Sequence, residues 1–301
     1  MKLPARYFNG LFAPLLFVSV SILSAQDAPL DLTIPPPLAA LLPTEDAVLA
    51  NVNGREIHGA EVRVRMLTAS MTEQQSPQSL EHYVQLAIDR DLIEQLLKSR
   101  KVEVPDDLIQ QRTQAFLDRL TKTTGDASRG LERMGLTEAS LRRQVQLSLG
   151  WLKFAQQTLT DEQFRQYFEA HREQLDGTRV KLSLIHKPLK ADTSAEERAS
   201  ARKELQDAAS QGKFEDAGST EFRGTLPPEV TAAVFQLKTG ETSDVIATPQ
   251  GLYIIVAGER IPGQLSLEDV RLEVLSKLAQ KLWDDEVARL RERARIQLLL
   301  P

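Results

Sequence analysis

The sequence predicts an α+β protein: a mainly helical module, opened by an N-terminal hairpin and completed by a C-terminal helix, with a small α+β unit inserted in it. Three observations predict this. Apolar residues keep helical spacing through most of residues 59–176, and RVKLSLIHKP (179–188) switches to alternation with period two. The third is a long amphipathic stretch after Pro262-Gly263 whose apolar stripe needs a partner from elsewhere in the chain. With 301 residues, 42% of them hydrophobic and 26% charged, the chain is long enough for two compact units.

Residues 1–25 read as a secretory signal. Lys2 and Arg6 precede an apolar run from Leu11 to Leu23, and Leu23-Ser24-Ala25 offers a small residue for cleavage. The run is shorter than the roughly 20 residues a helix needs to cross a bilayer. Cleavage after Ala25 is the expectation, with a retained anchor as the alternative. The exported chain would then have no membrane span and reside in the periplasm or cell envelope. Cysteine is absent, which removes disulfides and thiol chemistry. Losing Lys2 and Arg6 makes the exported chain more acidic than the −5 of the full sequence, and no basic run compensates. Nucleic acid is therefore not an expected partner. His58, His82, His171 and His186 share no helical ligand spacing, and HExxH, GxSxG and Gly-rich phosphate loops are missing. Neither a metal nor a small-molecule cofactor is expected.

Residues 26–45, with Pro35, Pro36, Pro37 and Pro43, read as an extended linker. Asn53-Gly54 is a tight-turn dipeptide between short strands at 48–52 and 56–57, and a helix is expected from Gly59. Ser79 opens a helix carrying Leu80, Tyr83, Val84, Ala87, Ile88, Leu92, Leu96 and Leu97. Pro105 suits a first helical turn, and Gly125 ends that helix. Thr137 is the N-cap expected for a long helix to Leu159, without the Glu that would complete a capping box. A short helix follows Thr160, so 46–176 is helical apart from its first hairpin. Residues 178–262 then supply a strand with His186, a polar helix from Ser194 to Gln211, a short helix after Pro228 and two strands around Pro249–Gly251. Ser266 and Asp269 begin the last helix, in 264–301, and Arg295–Leu300 is a candidate final strand.

Three stretches resemble the SurA/PrsA/parvulin group of exported folding factors. AVLANVNGREIHGAEV resembles the start of their N-terminal chaperone domain. GLTEASLRRQVQLSLGWL and LTDEQFRQYFEAHREQL resemble the helices that precede their isomerase domain. RVKLSLIHKPL, GKFEDA and LPPEVTAAVFQLKTGETSDVIATPQGLYIIVAGERI resemble a parvulin (PpiC-type) rotamase domain in order. The resemblance implies prolyl cis–trans isomerisation of X-Pro peptides and binding of unfolded or extended client proteins. It also implies two histidines on central strands, an acidic or thiol side chain, and an apolar cup for the proline ring.

At most of those positions this sequence departs from the family. Leu184 and Tyr253 stand where the family has its histidines, the second in GLYII against GYHII or GFHII. The acidic position has no secure counterpart, and Asp216 reaches it only by breaking the match of GKFEDA. Leu226 fills the usual Met position, Val230 replaces the usual Phe, and Phe235 completes the expected substrate pocket with Leu184. Ser183, His186 and Tyr253 are the candidate polar surround. His186 lies about 6.6–6.8 Å along the strand from Leu184 on the same face. It is either a relocated catalytic imidazole or a polar residue at the mouth of a former site. Three functions stay open: a client-binding folding factor with weak or lost catalysis, an active prolyl isomerase, and an envelope assembly factor with one dedicated partner.

Overall fold

A computed structural model describes residues 42–72, 79–190, 193–222 and 224–300. The expected signal peptide and most of the expected Pro-rich linker lie outside the described residues. The chain divides into two compact units, one of residues 1–160 and 275–301 and the other of residues 161–274. The architecture is α+β, with helices predominating and two small sheets. Among the described residues no helix is long and apolar enough to cross a membrane.

The first unit begins with a hairpin of β1 (Val48–Val52) and β2 (Arg55–His58). Asn53 and Gly54 both take positive φ, 54° and 90°, the backbone that a two-residue turn matched to strand twist demands. Helix α1 (Gly59–Thr72) follows directly, then α2 (Leu80–Ser99), whose Ser79 side chain accepts from the His82 amide. α3 (Asp106–Thr124) starts after Pro105 and stops at Gly125 in the left-handed region. A short α4 (Ala127–Arg133), capped by Asp126, was not expected from periodicity; seven residues give too short a stripe to detect.

α5 (Glu138–Thr158) corrects the reading of its cap. Ser140 does the work reserved for Glu: its Oγ accepts from the Thr137 amide at 2.9 Å while Thr137 Oγ1 accepts from the Ser140 amide at 3.1 Å. Trp151, fully buried, donates from Nε1 to Ala279 O at 3.2 Å and meets Trp283 edge-on at 5.1 Å. Ala279 and Trp283 belong to α10 (Leu267–Arg291), the C-terminal helix, which joins this unit from Leu275 onward. Arg291 adds ion and hydrogen bonds to Asp89 and Gln85 on α2. Beyond it, β7 (Ile296–Leu298) pairs antiparallel with β1, giving the sheet order β2-β1-β7. Both ends of the described chain therefore build one core, in which Leu49, Val52 and Ile57 pack with Val84, Ile88 and Leu92.

The second unit starts at α6 (Asp161–Ala170), earlier than the expected boundary near residue 178. Phe164 and Phe168 are buried, the Arg271 guanidinium lies 4.6 Å from the Phe164 ring, and Arg271 pairs with Asp161. These contacts hold α6 to the start of α10 inside this unit. A short α7 (Arg172–Leu175) leads into β3 (Arg179–Pro188). The sheet has the order β4-β3-β6-β5 and is antiparallel throughout, with β4 (Glu215–Glu221), β5 (Ile246–Thr248) and β6 (Gly251–Ile261). One face packs on α9 (Pro228–Gln236) through Val180, Leu182, Ile255, Val230 and Val234. The other packs on α8 (Ala195–Ser210) through Ile185, Leu252, Ile254, Ala201 and Leu205. β4 was not expected as a strand. Its sequence, EDAGSTE, has no apolar alternation, and Gly218 takes a φ of +75° within it.

Candidate functional site

The site lies on the α9 face of the second unit's sheet. β3 alternates, so Val180, Leu182, Leu184 and His186 share that face. Register then pairs Leu184 with Ile255 and His186 with Tyr253. Directly opposed residues in an antiparallel pair project to the same side, and here the rings meet. His186 and Tyr253 stack with centroids 4.2 Å apart and planes within 10°. Tyr253 is buried, 7% exposed, whereas His186 is exposed. Burial pushes the Tyr253 hydroxyl above its ordinary value of 10.0, so near neutrality it is a protonated donor.

Gly251 makes this register attainable. Its φ is +143°, and a Cβ there would stand 2.2 Å from Lys187 O and 2.9 Å from Pro188 Cα. The β5–β6 turn therefore comes against the end of β3 only because the residue has no side chain. The close approach sets Pro188 opposite Gly251 and, two residues on, His186 opposite Tyr253.

Leu184, Leu226 and Phe235 are half-buried and pack against the core that contains Tyr253. Phe235 also meets Phe222 edge-on at 5.2 Å. Arg260 fastens the end of α9 by donating to Phe235 O at 3.1 Å and Leu237 O at 2.7 Å, while its other nitrogen pairs with Glu173 at 2.6 Å. The sheet thus brings Leu184, His186, Leu226, Phe235 and Tyr253 to one side.

Two expected site residues are not brought there. Ser183 lies between Leu182 and Leu184, so alternation turns it to the α8 face along with Ile185. Val230 is fully buried beneath α9 and serves as core, not as the wall of an open cup. Asp216 is opposite Ser183, hence also on the α8 face, and its Oδ1 accepts from the Gly218 amide at 2.8 Å. Its neighbour Glu215 is opposite Leu184 and so shares the site's face. Glu215 went unnoticed in the sequence because β4 gave no strand signal, and without a strand there is no register. Among the described residues no group of His, Cys, Asp and Glu is arranged to hold a metal.

With this geometry in place, relatives place the second unit. Residues 159–272 match the family described as the PPIC-type PPIASE domain, nearly coincident with the unit at 161–274. The second unit is thus of the parvulin class. Over 204 residues the chain is 25% identical to foldase protein PrsA 2 of Bacillus anthracis, covering 66% of this chain and 67% of that one. Among solved structures, a peptidylprolyl isomerase (PrsA) from Bacillus anthracis aligns at 22% identity over 68% of this chain and 94% of its own, with a TM-score of 0.36. A structure reported with PEB4 and Cj1289, two SurA-like chaperones of Campylobacter jejuni, aligns at 15% identity over 84% and 99%, also at 0.36. Residues 159–272 are thus a PPIC-type PPIASE domain, in a chain similar in sequence to foldase protein PrsA 2.

Proposed function

We propose that this protein is an exported folding factor that binds unfolded or extended client polypeptides, and that its parvulin domain isomerises X-Pro bonds weakly or not at all. The observation that carries the second half is the pairing of Leu184 with Ile255 and of His186 with Tyr253. Rotation about an X-Pro bond starts from an amide barrier of about 18–20 kcal/mol, and the enzyme's task is to favour the twisted bond over the planar one. Polar groups aimed at the carbonyl and nitrogen do this. At the two positions where the resemblance puts imidazoles, this chain has an aliphatic side chain and a buried phenol. Removing one such electrostatic group from an active site costs about 10²–10³ in rate, and two are replaced here. The one nearby imidazole lies flat on Tyr253, displaced along the strand.

What remains is a half-buried apolar surface of Leu184, Leu226 and Phe235 packed over the buried Tyr253, suited to holding a proline-containing segment without transforming it. Kinship with a foldase, PrsA 2, supports client binding. Lys2, Arg6, the apolar run and Ala25 support export to the periplasm or envelope. Suppression of aggregation of a diluted, chemically unfolded client tests this reading. Light scattering should fall in a dose-dependent way at near-equimolar protein; scattering unchanged at a several-fold molar excess would remove it. A second reading, an active isomerase using His186, is favoured by the exposure of that imidazole above the Tyr253 ring.

A further inference from the structure

The C-terminal ends of α2 and α10 meet in the helical unit, where Arg291 ties the two helices through Asp89 and Gln85. Between these ends lies a cavity of about 300 Å³ lined by Arg100, Arg289 and Arg293, with Leu96, Ser99 and Leu290 completing it. No acidic residue lines it, Glu292 beside Arg293 included. Arg289 is answered by Glu286 on its own helix. Among the described residues the guanidinium groups of Arg100 and Arg293 meet neither a carboxylate nor a carbonyl.

These arginines are not there to cap helices. The last carbonyls of α2 are already met: Leu96 O accepts from the Arg100 amide at 2.9 Å and the Ser99 hydroxyl at 2.7 Å. Leu97 O accepts from the Val102 amide and Lys98 O from the Lys101 amide. Past α10, Leu290 O accepts from the amides of Arg293 and Ala294. Three cations therefore line one concavity with a single acid to answer them, and a bound anion relieves their repulsion.

We propose that this cavity binds a phosphate monoester dianion. Three arginines less Glu286 leave two positive charges unanswered. A phosphate monoester carries nearly two negative charges at neutral pH, its second ionisation lying near about pH 6. Its three terminal oxygens offer one acceptor group to each guanidinium, and forked N–H donors suit such oxygens. A carboxylate brings one charge and two oxygens, fewer than this lining can take up. Leu96 is buried and Leu290 half-buried, so the cavity receives a head group and has no slot for an acyl chain. Soluble esters and lipid head groups both carry this chemistry.

The test uses the full exported chain and separates the two sources. Calorimetric titration with glycerol 3-phosphate reads the soluble one. Flotation with phosphatidylcholine vesicles containing phosphatidic acid, a monoester, or phosphatidylglycerol, a singly charged diester, reads the lipid one. At least one monoester should bind at about pH 7.5, with phosphatidic acid preferred to phosphatidylglycerol if vesicles are retained. Glycerol 3-phosphate binding should weaken roughly tenfold at about pH 5, where the ester keeps one charge. Binding of one monoester probe alone assigns the site to that source. Arg293→Gln should weaken binding roughly tenfold with unchanged far-UV circular dichroism and Tm, since its side chain has no partner to lose. Should that variant melt early, Arg100→Gln carries the same readout. No binding of either monoester, equal retention on both kinds of vesicle, or binding untouched by both substitutions overturns the proposal.

Discussion

The two units differ in how they answer a buried carboxyl. The helical unit keeps charge inside: Asp91 is 1% exposed and paired with Arg55, and Glu94 gathers Arg55, Arg90 and Arg143. The sheet unit places its ion pairs outside, as in Lys181–Glu259 and Lys187–Glu204, and fills its site face with Leu184, Tyr253 and other apolar groups. Buried polar networks persist only where every member finds a partner, because an unpaired buried charge costs several kcal/mol. The helical unit thus balances buried charge with charge, whereas the sheet unit's buried carboxyl, Asp176, is held by the amide and hydroxyl of Thr178.

The strongest way to break the comparison is Trp151→Ala. It removes a fully buried side chain and its bond to Ala279, and should cost about 3–5 kcal/mol in urea unfolding. Both tryptophans of the chain lie in the helical unit, so the remaining Trp283 fluorescence follows that unit alone. A loss under about 1 kcal/mol would mean that α10 does not stabilise the unit through this contact.

Next is Gly251→Ala in the sheet unit. A methyl facing Lys187 O, on a backbone that favours glycine, should destabilise by more than about 1 kcal/mol and unstack His186 from Tyr253. Ring-current shifts of the His186 protons report the second effect. Normal shifts together with normal stability would contradict the register argument.

Acid should separate the units further. Burial works to raise the pKa of Glu94, but the hydrogen bond and charge of Arg143, with the charges of Arg90 and Arg55, outweigh it and hold the carboxyl below its ordinary value. A depressed folded-state pKa gives stability that is present above the unfolded carboxylate value, near about 4.3, and is lost as pH falls through the folded value. Tryptophan fluorescence should accordingly show stability declining as pH drops below that range, and Glu94→Gln should flatten the decline.

The smallest effect expected is from Ser140→Ala, which removes one half of the α5 capping box. It should cost about 0.5–1 kcal/mol, and Thr137→Ala should cost no less, since Thr137 Oγ1 accepts from the Ser140 amide whichever side chain residue 140 carries.

The fold was largely legible because its signals are local. Asn53-Gly54 announced the hairpin, Ser79 and Pro105 announced helix starts, and alternation announced β3. What was missed needed neighbours: β4 is a strand through its pairing with β3 despite a polar sequence, and α6 joins the sheet unit through Arg271, far along the chain. The site was legible in part for the same reason. Alternation put Leu184 and His186 on one face, but applying it to Ser183 would already have removed that residue. That Val230 is covered and that Glu215 faces Leu184 follow from packing and register, which no single stretch of sequence contains.

The central claim, that the parvulin domain retains its shape with catalysis weak or lost, is tested most directly by the cis–trans isomerisation rate of a proline tetrapeptide with the full exported chain. The account predicts a rate close to the spontaneous one, and no change with His186→Ala. Robust acceleration that His186→Ala abolishes would contradict it.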